Sequence, residues 1–361
     1  MKRSKPKRKS LGDSLRSQVK SKIANEKKES SIWTPPKGTG KFLLSTGSTL
    51  VDLAITGRRF RGGGIPFGIF CEIFGASARG KTVKLLEMAG NIQRMGGDYL
   101  FIDPEARVNK EFARIFDFNI NDDKYKKSAT AEEAFDLIRK WKPEGKGPHA
   151  IFMDSLAAFV SDDENEDKGD NFSGARKAKE FSQELRKSTR LIEEKNYLVV
   201  ATNQVRQILG ATAFQKKTKA TGGEAPKFYA SLRLELLKPP SDGKIILKKT
   251  INGVDHTRTA GVQTKVFVEK STISSPYQSG IMRILFDYGV DDITPNLVYL
   301  KRNLKTTTYV LKGEKIGSSI TSAINYIEKN NLEKELREEV IDLWTTIQKA
   351  LTPDRKKKVR F

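Results

Sequence analysis

Between Phe42 and Asn303 short apolar runs alternate with stretches of helical character. GIFCEIFG, DYLFIDPE, HAIFMDSLAAF and YLVVATNQV read as strands. KTVKLLEMAGNIQRMG, AEEAFDLIRKW and ARKAKEFSQELRKSTRLIEEK read as helices. A strand that is apolar at nearly every position, rather than every second one, must be covered on both faces. Such strands joined by helices imply an α/β fold with a mostly parallel central sheet flanked by helices. SLRLELLK, KVFVEKST and MRILFDY read as later strands of the same sheet.

Around this core the composition shifts. Residues 1–37 are basic and carry Pro6, Pro35 and Pro36; Leu15, Val19 and Ile23, four apart, predict a short amphipathic helix for oligomerisation. TPPKGTG reads as a linker. The core is expected over 38–305, and a small C-terminal domain over 306–352, helical from about 315 to 351. A second basic tail, DRKKKVRF, ends the chain over 353–361. No internal repeat is visible.

Lysine and arginine number 66 against 44 aspartates and glutamates, a net charge of +22 over 361 residues. An excess of that size favours a polyanionic partner. No run of eighteen apolar residues predicts a membrane span, and the charged N-terminus lacks the apolar stretch of a secretory signal. The single cysteine, Cys71, fits a reducing cytosol, and His149 and His256 lie too far apart in sequence to suggest a zinc site.

The sharpest motif is EIFGASARGKT. Gly75, Ala76, Ser77, Ala78, Arg79, Gly80, Lys81 and Thr82 match G-x-x-x-x-G-K-[ST], after an apolar strand and before a helix with Val83, Leu86 and Ala89 on one face. Glycines let backbone N–H groups converge on phosphate oxygens, and the helix N-terminus adds partial positive charge. Lys81 would neutralise the outer phosphates and the Thr82 hydroxyl would ligate Mg²⁺. Asp154, ending AIFMDS, is placed either to hold magnesium or to cap the next helix, and magnesium is favoured beside a phosphate loop. Asp103 and Glu105 end DYLFIDPEAR; a carboxylate there can polarise water, or pair with Arg107.

These pieces, in this order, resemble RecA-type homologous recombinases, in particular those carried by phages and mobile elements. The similarity runs from LLSTGSTLVDLAI to GIMRILFDYG. The resemblance implies ATP bound over Gly75–Val83 with Mg²⁺, a catalytic glutamate at Glu105, Asn109 at the adenine edge and Phe112 stacked on the base. VATNQVRQILGATAFQKKTKATGGEAPKFYASLRLEL is similar to the family's DNA-loop segment. It implies Gln204 as γ-phosphate sensor and a DNA-binding loop over about Arg206–Gly223 with Arg206, Phe214, Lys216, Lys217, Lys219, Gly222 and Gly223. A first loop, about Ser161–Gly174, is acidic, so the contacts there fall to Arg176, Lys177, Lys179 and Arg186 on the next helix, unless these are a solvated face. Phe228 and Arg233 match positions linking the DNA loop to the subunit interface, unless Phe228 is core packing. Lys270 matches one of two lysines that reach the neighbour's γ-phosphate; the second position holds Thr272.

The resemblance implies a DNA-dependent ATPase of the cytoplasm, of a bacterium or a phage-infected host. It would form a helical head-to-tail filament on single-stranded DNA and exchange strands with double-stranded DNA in recombination and repair. Single-strand-binding and loader proteins are possible partners. A paralogue mediator, or a helicase on the same fold, is the alternative.

Overall fold

The computed structural model describes residues 42–159, 173–207, 218–220, 225–239 and 243–353. The N-terminal helix, the acidic first loop and the C-terminal tail of the sequence reading lie outside these residues, as do Phe214, Lys216, Lys217, Gly222 and Gly223. The described residues form two compact units, 42–292 and 293–353.

The larger unit is built on one sheet. Its parallel part comprises β3 (Ile69–Gly75), β4 (Asp98–Ile102), β5 (Tyr125–Lys126), β6 (His149–Met153), β7 (Leu198–Gln207) and β9 (Leu232–Leu237), in the order β9-β3-β7-β6-β4-β5. Beyond β9 the sheet continues antiparallel through β11 (Val254–Ser271), β12 (Ser279–Leu285) and β13 (Gly289–Val290). The three later strands read from sequence are therefore β9, part of β11 and β12. A two-stranded pair, β1 (Leu43–Leu44) with β2 (Ile65–Pro66), lies outside this sheet.

The unbroken apolar strands have the physical cause the pattern implied. Successive residues point to opposite faces. Cys71, Ile73, Phe101, Phe152 and Val200 join a core under α1 (Thr49–Thr56) and α2 (Lys81–Arg94). Phe70, Leu100, Ile102, Ile151, Met153 and Val199 join the opposite core with α4 (Ala131–Lys140) and α5 (Ser173–Glu194). Each fully buried large apolar side chain contributes about 1.5–3 kcal/mol. A short helix, α3 (Lys110–Arg114), follows β4, and α6 (Ala225–Tyr229) precedes β9.

Two further hairpins modify this plan. β8 (Thr218–Ala220) pairs antiparallel with the far end of β7. β10 (Lys244–Ile251) pairs with the first half of β11 through Asn252-Gly253, both at positive φ (52° and 77°). Asn-Gly is the favoured pair for that turn. Both strands are mostly exposed along this stretch.

In the smaller unit α7 (Ile293–Leu304), a β14–β15 hairpin (Tyr309–Leu311, Glu314–Gly317), α8 (Ile320–Lys329) and α9 (Glu333–Ala350) bury Leu297, Leu300, Ile327, Leu336, Val340 and Trp344. Lys301 Nζ sits 4.3 Å from the centre of the Tyr309 ring. Among the described residues no helix is long and apolar enough to cross a membrane.

Candidate nucleotide site

Because the central strands are parallel, their C-terminal ends share one edge of the sheet. In such a sheet ligands bind outside that edge. Four sequence-predicted groups converge there: the loop after β3, Glu105 after β4, Asp154 after β6, and Gln204 on β7, registered directly against Gly75. They line one cavity of about 430 Å³ with Ser77–Val83 and Phe112.

The loop turns into α2 at Gly80, whose φ of +83° is left-handed. A Cβ there would also stand 2.5 Å from Ile284 Cδ1, so both conformation and space favour glycine. Lys81 folds back, its Nζ donating to the Gly75 and Ala76 carbonyls at 2.9 Å each. Burial lowers its pKa, opposed by the nearby Asp154 and Glu105 carboxylates.

Thr82 Oγ1 donates to Asp154 Oδ2 at 2.6 Å, and Thr202 Oγ1 donates to Asp154 Oδ1. Burial raises the Asp154 pKa, the two hydroxyl bonds pull it down, and Asp103 and Glu105 push it up again. A hydroxyl and a carboxylate in contact beside a phosphate loop are a hard-oxygen donor pair. That set fits Mg²⁺, which takes one or two protein ligands and completes its shell with water and phosphate.

Glu105 is placed by its neighbours. Its Oε1 accepts from Ser155 Oγ at 3.2 Å and its Oε2 pairs with Arg107 Nη1 at 2.7 Å. It borders the cavity and makes the ion pair with Arg107 that the sequence offered as one alternative. Asp103 does other work. Buried, it accepts from the Arg107 and Val108 backbone N–H groups at 2.9 and 3.0 Å and from the Tyr125 hydroxyl, shaping the turn that carries Glu105.

Away from the loop the wall is apolar: Phe112, Ile115, Phe116, Val262, Ile284, Leu285 and Phe286. Phe112 is 41% exposed and meets Phe116 edge-on. Asn109 caps α3, its Oδ1 accepting from Glu111 N at 2.7 Å and Phe112 N at 3.3 Å.

Other predicted residues lie elsewhere. Lys270 is outside this cavity; its Nζ donates to the Lys227 and Phe228 carbonyls at 2.9 and 2.8 Å. Burial and Arg233 lower its pKa. Thr272 Oγ1 reaches the Ser231 carbonyl at 3.4 Å. Phe228 is 75% exposed, so it is not core packing in this protomer. Lys179 and Arg186 are exposed, seven residues apart on one face of α5. Arg176 and Lys177 lie in the first turns of α5, and Arg206 and Lys219 are backbone partners in the β7–β8 register.

Arg233, grouped with the interface in the sequence reading, lies inside the protomer at 4% exposure. Its Nε donates to Glu72 Oε2 at 2.5 Å, it pairs with Glu269, and it stacks 4.2 Å over the Phe74 ring. Asn203 Nδ2 donates to Glu72 Oε1 at 2.8 Å, and Asn203 Oδ1 accepts the Gln204 N–H at 2.9 Å. One polar row thus crosses β7, β3, β9 and β11, buried at Asn203, Glu72 and Arg233 and half-buried at Glu269, from the residue before Gln204 to the residue before Lys270. The sequence reading passed over Glu72. Its signal was a charge within an apolar central strand, which requires a buried partner.

The comparisons with known proteins agree with this architecture. The family model for the RecA N-terminal domain matches residues 39–291. Protein RecA of Delftia acidovorans (strain DSM 14801 / SPH-1) is 31% identical over 308 residues, covering 83% of this chain and 78% of its own. Protein RecA of Treponema denticola is also 31% identical over 308 residues, covering 82% and 70%. With an α/β sheet whose phosphate-loop edge gathers Lys81, Thr82, Glu105, Asp154 and Gln204, the chain belongs to the RecA family of recombinases.

Proposed function

We propose that this protein is an ATP-dependent DNA recombinase that assembles as a helical filament on single-stranded DNA and promotes homologous pairing and strand exchange. The observation that carries the reading is the Thr82–Asp154 contact beside the phosphate loop, with Glu105 and Gln204 bordering the same cavity. Those are the groups that nucleotide-dependent work needs.

In this reading the loop N–H groups and Lys81 bind the phosphates, Lys81 leaving the carbonyls of Gly75 and Ala76 to do so. Thr82 and Asp154 would hold Mg²⁺, whose charge would offset that developing on the phosphate. Glu105 accepts a proton from the attacking water. The Gln204 amide, able to donate to a phosphate oxygen, reports whether that oxygen is present and moves the DNA loop that follows β7. Lys270 would release the Lys227 and Phe228 carbonyls to reach the neighbouring protomer's phosphate. Arg176, Lys177, Lys179 and Arg186, with the loop from Arg206 to Gly223, grip the DNA backbone. The setting is the cytoplasm of a bacterium or an infected host. ATP tightens DNA binding only by interacting differently with two filament states.

Thr272 favours a second reading, a paralogue that binds nucleotide and supports other recombinases, because one trans cation is absent. Two measurements discriminate. Affinity for single-stranded oligonucleotide, read by fluorescence anisotropy, should rise with a non-hydrolysable ATP analogue, and electron microscopy should show helical polymers. Phosphate release should be stimulated by the same DNA; a mediator would show little. Oligonucleotide affinity indifferent to nucleotide would sink the proposal.

A further inference from the structure

Arg107 borders the nucleotide cavity together with Glu105. The two belong to the turn after β4, with Ala106 between them at a left-handed φ of +52°. The backbone of that turn is pinned: the Arg107 N–H donates to Asp103 Oδ2 at 2.9 Å, and Asp103 is itself buried. The Arg107 side chain is free to move. It is 78% exposed, and its ion-pair partner among the described residues is Glu105, with Nη1 2.7 Å from Oε2. Exposed ion pairs are weak, so this one is readily exchanged for a pair with another anion. The other cations on the cavity wall, Arg79 and Lys81, belong to the phosphate loop, and Lys270 lies outside the cavity.

We propose that Arg107 is a catalytic cation acting within its own protomer: it leaves Glu105 for the γ-phosphate of bound nucleotide and stabilises the charge that develops there. The proposal rests on the reading of this cavity as a nucleoside triphosphate site. A general base must stand within hydrogen-bond reach of the water it deprotonates, and that water must meet the phosphorus it attacks. A guanidinium already touching the base is therefore a side-chain swing away from the γ-phosphate oxygens. Its planar fork matches phosphate as well as carboxylate, and it stays charged at any working pH. The exchange also uncovers Glu105 Oε2 to accept the proton, while Oε1 keeps the Ser155 hydroxyl at 3.2 Å. In the step itself the water oxygen bonds to the γ-phosphorus. The bond from that phosphorus to the bridging oxygen breaks, and its electron pair leaves with ADP. The water's proton passes to Glu105, and Arg107 keeps its own protons throughout. A magnesium triphosphate is a net anion, here standing beside the Asp154 and Glu105 carboxylates, so a cation at its outer end has the largest effect.

The test compares Arg107→Ala and Arg107→Lys with wild type, as full chains with Mg²⁺. Two quantities are read. One is phosphate release from ATP with single-stranded DNA. The other is the preference for a non-hydrolysable ATP analogue over ADP, from displacement of a fluorescent nucleotide. Arg107→Ala should lose at least about tenfold in turnover, toward the 10²–10³-fold that one preorganised donor supplies. Its preference for the triphosphate should fall at least about fivefold, the effect of one hydrogen bond between charged groups, because ADP lacks the phosphate that Arg107 meets. Arg107→Lys, which keeps the charge and loses the fork, should lie between. Repeating the comparison in Glu105→Gln separates contact with phosphate from mere positioning of the base, and the triphosphate preference should fall there by the same factor. A smaller loss of turnover in Arg107→Ala, or a smaller fall in triphosphate preference in the Glu105→Gln background, overturns the proposal and leaves the triphosphate reading standing. Wild type that binds no triphosphate, or releases no phosphate from it, overturns that reading and the proposal with it.

Discussion

Replacing Glu105 by glutamine separates holding a nucleotide from turning it over. The geometry sets what the change costs. Oε1 still accepts from Ser155 Oγ, now 3.2 Å away. The Arg107 ion pair is lost, but Arg107 is 78% exposed, and pairs in such settings contribute at most about 1 kcal/mol. Folding and nucleotide affinity should therefore change little. Turnover should change greatly, because a positioned general base contributes about 10²–10⁴-fold. That is a barrier increase of about 3–5 kcal/mol. The assay pairs DNA-stimulated phosphate release with anisotropy of labelled single-stranded DNA in ATP. Glu105→Gln should keep ATP-dependent DNA binding and lose at least about a hundredfold in turnover. A loss below about tenfold would remove Glu105 from the proton-transfer role. Loss of DNA binding along with turnover would show that the carboxylate supports the bound state itself.

Three further outcomes follow from the described contacts. Gly80→Ala forces a left-handed φ on a residue with a Cβ and pushes Ile284 Cδ1; denaturant melts should show about 1–2 kcal/mol lost, and an unchanged midpoint would refute the strain argument. Glu72→Ala strips the buried Arg233 of one carboxylate and Asn203 of its acceptor, so stability should fall by about 3–5 kcal/mol; a loss under about 1 kcal/mol would mean that Glu269 and Phe74 suffice. Burial raises the Asp154 pKa, so the protonated form gains population at a higher pH than for an ordinary carboxylate. Affinity for Mg²⁺-nucleotide should accordingly weaken as pH falls from neutral, and Asp154→Asn should flatten that dependence; parallel pH curves for the two proteins would exclude Asp154 as its source.

The parallel sheet was legible because each central strand is buried on both faces and so carries no polar alternation. The phosphate loop was legible because its chemistry is local: glycine, lysine and threonine act within one turn. Lys84 shows the opposite case. One residue past Val83 on an amphipathic helix, it looks like a solvent-facing lysine, yet it is fully buried with its Nζ 2.9 Å from the Thr46 carbonyl. Burial pushes its pKa down to about 8 despite the nearby Asp52, Glu87 and Asp292. The β10–β11 hairpin carried its Asn-Gly signal in plain sight, between strands too polar to stand out.

By itself, then, the sequence determined the sheet, its flanking helices and the identity of the loop, all set by periodicity and by neighbours a few residues apart. Only the tertiary structure decided that Glu72, Asn203 and Arg233 form one buried row that ends at half-buried Glu269, and that Lys270 lies outside the cavity of its own protomer. Those relations join strands far apart in the chain. Strand order and register create them, and no local pattern encodes which distant side chain a buried charge will meet.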